Sequence, residues 1–448
     1  MTHRRFLASL LLAAVVLLPA CSEDVPVADQ SFGSLNPSTY VAVGNSLTAG
    51  YQSGALFEEG QRYSYPNLIA QRLGVTFVQP LMPYPGTGEL RYLESMSPSV
   101  VIKAKTQGQV LPSNATHPAP YHNLGIPGAI MADAIDESDI IQRSVTRQNP
   151  FYALIMRNQA NFGASLLDQA IKLNPTVMTF WMGNNDVLGY AATGGTKGTN
   201  VGLDGNPPGT RPTDRAFFQQ RVQGAFAKIK AALPNTKVLV ANLPNPLSTP
   251  FFTTVPRKIP NPQNPTQLLS IYYRNHNDQV TTVSDNDYVL LTAQEFLQQG
   301  IGLSPQQPLP SRYVLDDVEV SIVLEAVSSC NSTLDAAAAQ NGFTMVDMYG
   351  FFNDIHKNGY AAVGEVFSTA FISGGIFSLD GLHLSAKGNA IVANKFIQTM
   401  NSAFGANIHY VQLHTLPGIP GPGRFTKRPA SAWSPDLRVP SLLPSWLR

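Results

Sequence analysis

Charge is scarce in this chain. Of its 448 residues only 13% are Asp, Glu, Lys or Arg, and 30 basic against 29 acidic residues leave a formal net charge of +1. Soluble domains carry about 25% charged residues. A balance so near zero excludes a nucleic-acid binder that works through a basic surface. A hydrophobic share of 44% excludes wholesale disorder, which needs low hydrophobicity with high net charge. Cysteine is nearly absent: Cys21 and Cys330 cannot build a disulfide framework. The eight histidines form no H-x-x-x-H or H-E-x-x-H pattern, so a zinc hydrolase of that type lacks its ligands. Neither G-x-x-x-x-G-K-[ST] nor a G-x-G-x-x-G that opens a helix after a strand occurs, which leaves nucleotide use unsupported. Repeats of fixed period are missing as well.

What is present begins with an export signal. His3, Arg4 and Arg5 precede a 15-residue apolar stretch at 6–20, shorter than the ~20 residues of a spanning helix. The sequence LPAC at 18–21 is similar to the bacterial lipobox, in which cleavage precedes a cysteine that then carries lipid. This implies a signal peptide at 1–20, lipidation of Cys21 and a membrane-anchored protein of the cell envelope. Ser22 follows the cysteine, which in a Gram-negative host favours the outer membrane. Residues 21–37 are polar and turn-rich and suit a tether. Cys330 lies in the apolar pattern VSIVLEAVSSC and reads as a small buried hydrophobe.

From residue 38 onward strand and helix patterns alternate. Apolar runs at 40–43, 75–80, 176–183, 236–244 and 343–349 read as strands, and 64–74, 164–175, 215–234 and 385–404 as helices. Alternation of this kind predicts a parallel sheet covered on both faces. Residues 81–120, rich in Pro and Gly, read as an irregular excursion, with Tyr63, Tyr65, Tyr84, Tyr92 and Tyr121 available either to line a groove or to pack. Segment 192–212 reads as a surface loop. Segment 245–320 reads as an insertion or cap with a weak strand–helix pair at 288–291 and 293–299. The Pro-rich tail, 405–448, reads as loosely attached beyond Pro417.

Three segments place chemistry-bearing residues at the ends of predicted strands. In GNSLTAGY (44–51) Ser46 follows a strand where the chain turns into a helix. It is either an N-cap or a nucleophile exposed at the sheet's carboxyl edge. In MGNNDVLGY (182–190) Asn185 and Asp186 either build a turn or offer a side-chain amide to developing negative charge. In LDGLHLSAKG (379–388) Asp380 stands three residues before His383. That spacing lets a carboxylate orient an imidazole as general base, or simply caps the following helix.

Taken together, GNSL, GNND and DGLH in this order resemble the SGNH (GDSL-type) hydrolase family over about residues 38–404. The resemblance implies a flavodoxin-like three-layer α/β/α sandwich with about five parallel strands. It implies Ser46 as nucleophile, His383 as base and Asp380 as its orienting acid. It also implies an oxyanion hole made by Ser46, Asn185 and Gly125, the last matched in YHNLGIPG (121–128). Asn45 stands where the family usually has aspartate. The implied activity is hydrolysis of carboxylic esters through an acyl-enzyme, on a small-molecule, lipid or glycan ester, with no cofactor or metal. The competing reading is an envelope binding lipoprotein that keeps the fold without turnover.

Overall fold

The computed structural model describes residues 29–195, 211–418, 437–439 and 443, apart from 98, 107, 262 and 363. Residues 1–28, with the export signal, Cys21 and the first part of the tether, lie outside the described residues, as do most of the 192–212 loop and most of the tail.

Five short strands form the central sheet: β1 Tyr40–Gly44, β2 Asn123–Gly125, β3 Val177–Trp181, β4 Lys237–Ala241 and β5 Thr344–Val346. Their spatial order is β5-β4-β3-β1-β2, and every pairing is parallel. Read from the other edge this is 2-1-3-4-5, the flavodoxin-like order, which reverses direction between β1 and β3. Both faces are covered, which explains why β1 and β3 are buried at every position rather than alternately. Val41, Val43, Met178, Phe180, Val238 and Val240 pack on one face with Leu167, Phe218, Val222, Phe226 and Val323. These come from helices α3 Leu166–Lys172, α5 Arg215–Ala232 and α6 Asp317–Asn341. Tyr40, Ala42, Val177, Trp181, Leu239 and Val346 pack on the other with Leu68, Ile69, Ile391 and Phe396, from α2 Tyr65–Leu73 and α7 Ala386–Phe404. Tyr65 is core, stacked on Phe396. The helices start where side chains cap them: Asp214 accepts from Phe217 N–H, Ser385 from Gly388 N–H, and Asp316 with Glu319 forms a capping box. Cys330 is buried in α6. Among the described residues no helix is long and apolar enough to cross a membrane.

Three expectations change, and a fourth is kept and extended. The run at 75–80 is not a strand. It lies beside β2 and meets it through the backbone at Val78, whose carbonyl accepts from His122 and Asn123 N–H, and through Gln79 Oε1, which accepts from Asn123 Nδ2, so β2 itself is the outer strand of the sheet. The 81–120 excursion is partly regular. Thr87–Ser95 and Val101–Thr106 form an antiparallel hairpin, joined by Ala55–Leu56 into a three-stranded sheet. The 245–320 segment keeps its strand–helix pair, as Tyr288–Val289 and Gln294–Gln298, and adds short antiparallel pairs; its Ile259, Ile271, Val289 and Leu315 belong to the main hydrophobic core. Within the tail, Leu437 and Val439 are buried, and Arg438 exchanges backbone hydrogen bonds with Val100 and Ile102. A stretch without periodicity can still dock if a strand edge is free to pair with it.

Candidate active site

Ligands of open parallel sheets bind at the carboxyl ends of strands, where the order reverses. Here that place lies between β1 and β3. β1 delivers Ser46 at the first position of the four-residue helix α1 Ser46–Ala49. β3 delivers Asn185 at the first position of α4 Asn185–Ala191. Gly44 is required before the turn, because a Cβ there would fall 1.9 Å from Thr48 Oγ1.

Ser46 meets two side chains more than 330 residues further along the chain, and the three form one row. Ser46 Oγ lies 2.9 Å from His383 Nε2, and His383 Nδ1 lies 3.0 Å from Asp380 Oδ2. All three are nearly enclosed, with exposures of 3%, 3% and 7% for Ser46, His383 and Asp380. Asp380 is surrounded by donors. Its Oδ1 accepts from the N–H of Leu382 at 2.9 Å and of His383 at 2.8 Å, and from Ser378 Oγ at 3.3 Å. Its Oδ2 also accepts from Gly54 N–H at 3.0 Å. Burial opposes its ionisation, but the charge and hydrogen bonds of His383, with Arg91 nearby, outweigh it and hold the carboxyl well below the usual carboxylate range. The Tyr51 ring tilts against the imidazole, centroids 4.7 Å apart. The 245–320 segment reaches the same turn, where Phe251 N–H donates to Gly381 O.

The other family-implied residues are placed as follows. Asn185 Nδ2 donates one hydrogen to Ala129 O at 2.8 Å, which fixes the amide and leaves its second hydrogen available. Asp186 is fully buried; it accepts from Met131 N–H and Thr213 Oγ1, both at 2.8 Å, and so ties the 129–131 segment to α4. Gly125 packs on α1, where a Cβ would fall 2.2 Å from Ala49 N. Its N–H, however, is donated to Asn123 Oδ1 at 3.0 Å. Three residues on, Gly128 has φ +82°, and its N–H makes no hydrogen bond among the described residues. Asn45 accounts for its own departure from aspartate. Its Oδ1 caps Leu47 N–H, and its Nδ2 donates to Asn184 Oδ1 at 2.8 Å, joining the first and second motifs through a donor that a carboxylate lacks.

Sequence reasoning missed Gly54, Ser378, Tyr51 and Asn184. Gly54 acts through its backbone and Ser378 through one hydroxyl, and neither has a motif to announce it.

A serine, an imidazole and a buried carboxylate in series, at the switch point of a doubly wound parallel sheet, is the arrangement used by serine-dependent acyl-transfer enzymes. The chain belongs to the family of GDSL-like lipases and acylhydrolases, whose model matches residues 40–396. No curated protein matches it. Among solved structures it is similar to phospholipase A1 from Streptomyces albidoflavus NA297, at 12% identity and TM-score 0.35, covering 82% of this chain and 99% of that one. It is also similar to a family 3 carbohydrate esterase from Clostridium thermocellum, at 13% identity, TM-score 0.30 and coverage of 82% and 98%. An extracellular lipase from Streptomyces rimosus matches at 14% identity, TM-score 0.32 and coverage of 82% and 99%.

Proposed function

We propose that the protein is a serine hydrolase that cleaves carboxylic esters through an acyl-enzyme. The observation that carries this reading is the row Ser46 Oγ–His383 Nε2–Asp380, with both links at hydrogen-bond length and the acid end saturated by N–H donors. With Nδ1–H held by Asp380, Nε2 is the base that faces Ser46 Oγ. It takes the Ser46 proton as Oγ bonds to the ester carbonyl carbon, and the carbonyl oxygen becomes an oxyanion. The Ser46 N–H, at the first position of its helix, and the second hydrogen of Asn185 Nδ2 receive that charge. The third donor is assigned to the turn from Gly125 to Gly128. Gly125 would first have to release Asn123, whereas Gly128 would not. The imidazolium then gives its proton to the leaving alcohol. Water, activated by the same nitrogen, attacks the acyl-Ser46 carbonyl, and its proton returns to Ser46 as the acid departs.

The envelope role belongs to the same proposal. Cys21 carries the lipid that holds the domain at the cell envelope, at the outer membrane in a Gram-negative host. Its support is the sequence LPAC with the apolar run before it.

The test is covalent. Purified protein is treated with a fluorophosphonate, digested and mapped, and hydrolysis is profiled on esters of increasing acyl length. Adduct at Ser46 with Ser46-dependent turnover supports the hydrolase. Folded protein that neither labels nor turns over any ester supports the binding lipoprotein instead.

A further inference from the structure

A buried arginine stands behind the acid end of the row. Arg91 lies in the Thr87–Ser95 strand, is 4% exposed, and plays no part in the steps above. Its backbone N–H donates to Ser53 O at 2.6 Å. Its stem lies along Gly54, with Cγ 3.5 Å from where a Gly54 Cβ would be. Gly54 is the residue whose N–H bonds Asp380 Oδ2. Ser53 adopts φ +52°, unusual for a non-glycine residue, and the surroundings impose it. Ser53 N–H donates to Ser378 Oγ at 2.8 Å, and Leu379 N–H reaches Ser53 Oγ at 3.3 Å. The hairpin, the Ser53–Gly54 turn and the Asp380 loop therefore form one hydrogen-bonded block.

A guanidinium is costly to bury without a counter-charge. The acidic groups near enough to act on the Arg91 charge are Asp380, the Tyr51 phenol and Glu89. Tyr51 is neutral: burial, then Asp380, pushes its phenol far above the ordinary range. Glu89 is only half-buried. On Asp380 itself the facing cations are His383, when protonated, and Arg91.

Resting on the hydrolase reading above, we propose that Arg91 is a positioning residue of the catalytic row. Its buried guanidinium is the fixed positive charge of the block whose Gly54 N–H holds Asp380 Oδ2 beside His383 Nδ1, while touching neither substrate nor the reacting atoms. The hairpin is thereby part of the catalytic apparatus rather than decoration.

The test compares Arg91→Met, which keeps the stem and removes the charge, with Arg91→Lys, which keeps the charge. On a chromogenic ester, Arg91→Met should lose about tenfold or more in kcat with KM nearly unchanged. Removing a fixed positive charge makes protonation of its neighbours easier, so the acid limb of the pH–rate profile should move to higher pH. Arg91→Lys should recover most of both. If Arg91→Met does not fold, Arg91→Gln against Arg91→Lys carries the same comparison. A neutral variant whose kcat and acid limb stay within twofold of wild type overturns the assignment. So does a lysine variant as impaired as the neutral one. Ser46→Ala run in parallel separates the two levels: activity that survives it overturns the hydrolase reading, whereas Ser46-dependent activity indifferent to Arg91 overturns only this inference.

Discussion

Replacing Asp380 with asparagine changes one atom and should nearly abolish turnover. The carboxylate accepts from five donors: Leu382 N–H, His383 N–H and Ser378 Oγ on Oδ1, and Gly54 N–H and His383 Nδ1 on Oδ2. An amide has a single acceptor oxygen. With that oxygen on the more heavily bonded Oδ1 side, the NH2 group faces Gly54 N–H and the imidazole. Gly54 N–H then loses its acceptor in a buried place, which costs about 1–3 kcal/mol of stability. His383 must turn Nδ1 into an acceptor, so its proton moves to Nε2, facing Ser46. A protonated Nε2 cannot take the serine's proton, and the expected loss in kcat is about 10⁴. Steady-state kinetics on a chromogenic ester read the first effect, and thermal unfolding reads the second. Combined with His383→Ala, the substitution should add almost nothing to the loss from His383→Ala alone, because residues acting as a unit are not additive. A double mutant with fully multiplied losses, or an Asp380→Asn enzyme within tenfold of wild type, would refute the reasoning.

Asn185→Ala removes one oxyanion donor and should lower kcat by about 10²–10³ with KM nearly unchanged; a rise in KM alone would make Asn185 a substrate contact. Glu319 gives a pH signature in stability. Burial, with Asp316 and Asp287 close by, pushes it up to about 8 against the hydrogen bond from Asp316 N–H. Its protonated folded form therefore stabilises fully below the ordinary value of 4.5, and that contribution is lost as pH rises through about 8. Glu319→Gln should flatten the fall in melting temperature between pH 5 and 8, and parallel curves for the two proteins would contradict the shift. Cys21→Ser should release an unprocessed or soluble form from the membrane fraction. Wild-type protein recovered soluble, with an ordinary cleaved N-terminus, would count against the anchor.

The parts of the fold legible in the sequence are those where apolar residues do the signalling. β1, β3, β4 and β5 are buried on both faces and appear as continuous runs, and α2, α3, α5 and α7 carry one apolar stripe. β2 is illegible because it is three residues, Asn123, Leu124 and Gly125, and its place comes from register with β1. The 75–80 run misleads for the opposite reason: it is apolar and extended but lies at the edge, pairing at one point. The hairpin hides because its short alternating runs, E-L-R-Y at 89–92 and I-K-A-K at 102–105, lie inside a Pro- and Gly-rich stretch, and because Arg91 is buried where a charged residue is expected to be exposed. At the site, Ser46, Asn185, Asp380 and His383 are readable as motif residues. Gly54 is not, since a backbone N–H has no side-chain signature and its partner lies 326 positions away. The 121–128 segment holds two glycines, and only the structure distinguishes the one whose N–H is engaged.

The central claim is that Ser46 attacks the ester and carries the acyl group. It is tested most directly by rapid quenching of the enzyme with a radiolabelled acyl ester, followed by peptide mapping. The account predicts label on the peptide containing Ser46, appearing in a burst, and none in Ser46→Ala, which should keep its fold. Stable turnover in Ser46→Ala, or label on another residue, would contradict it.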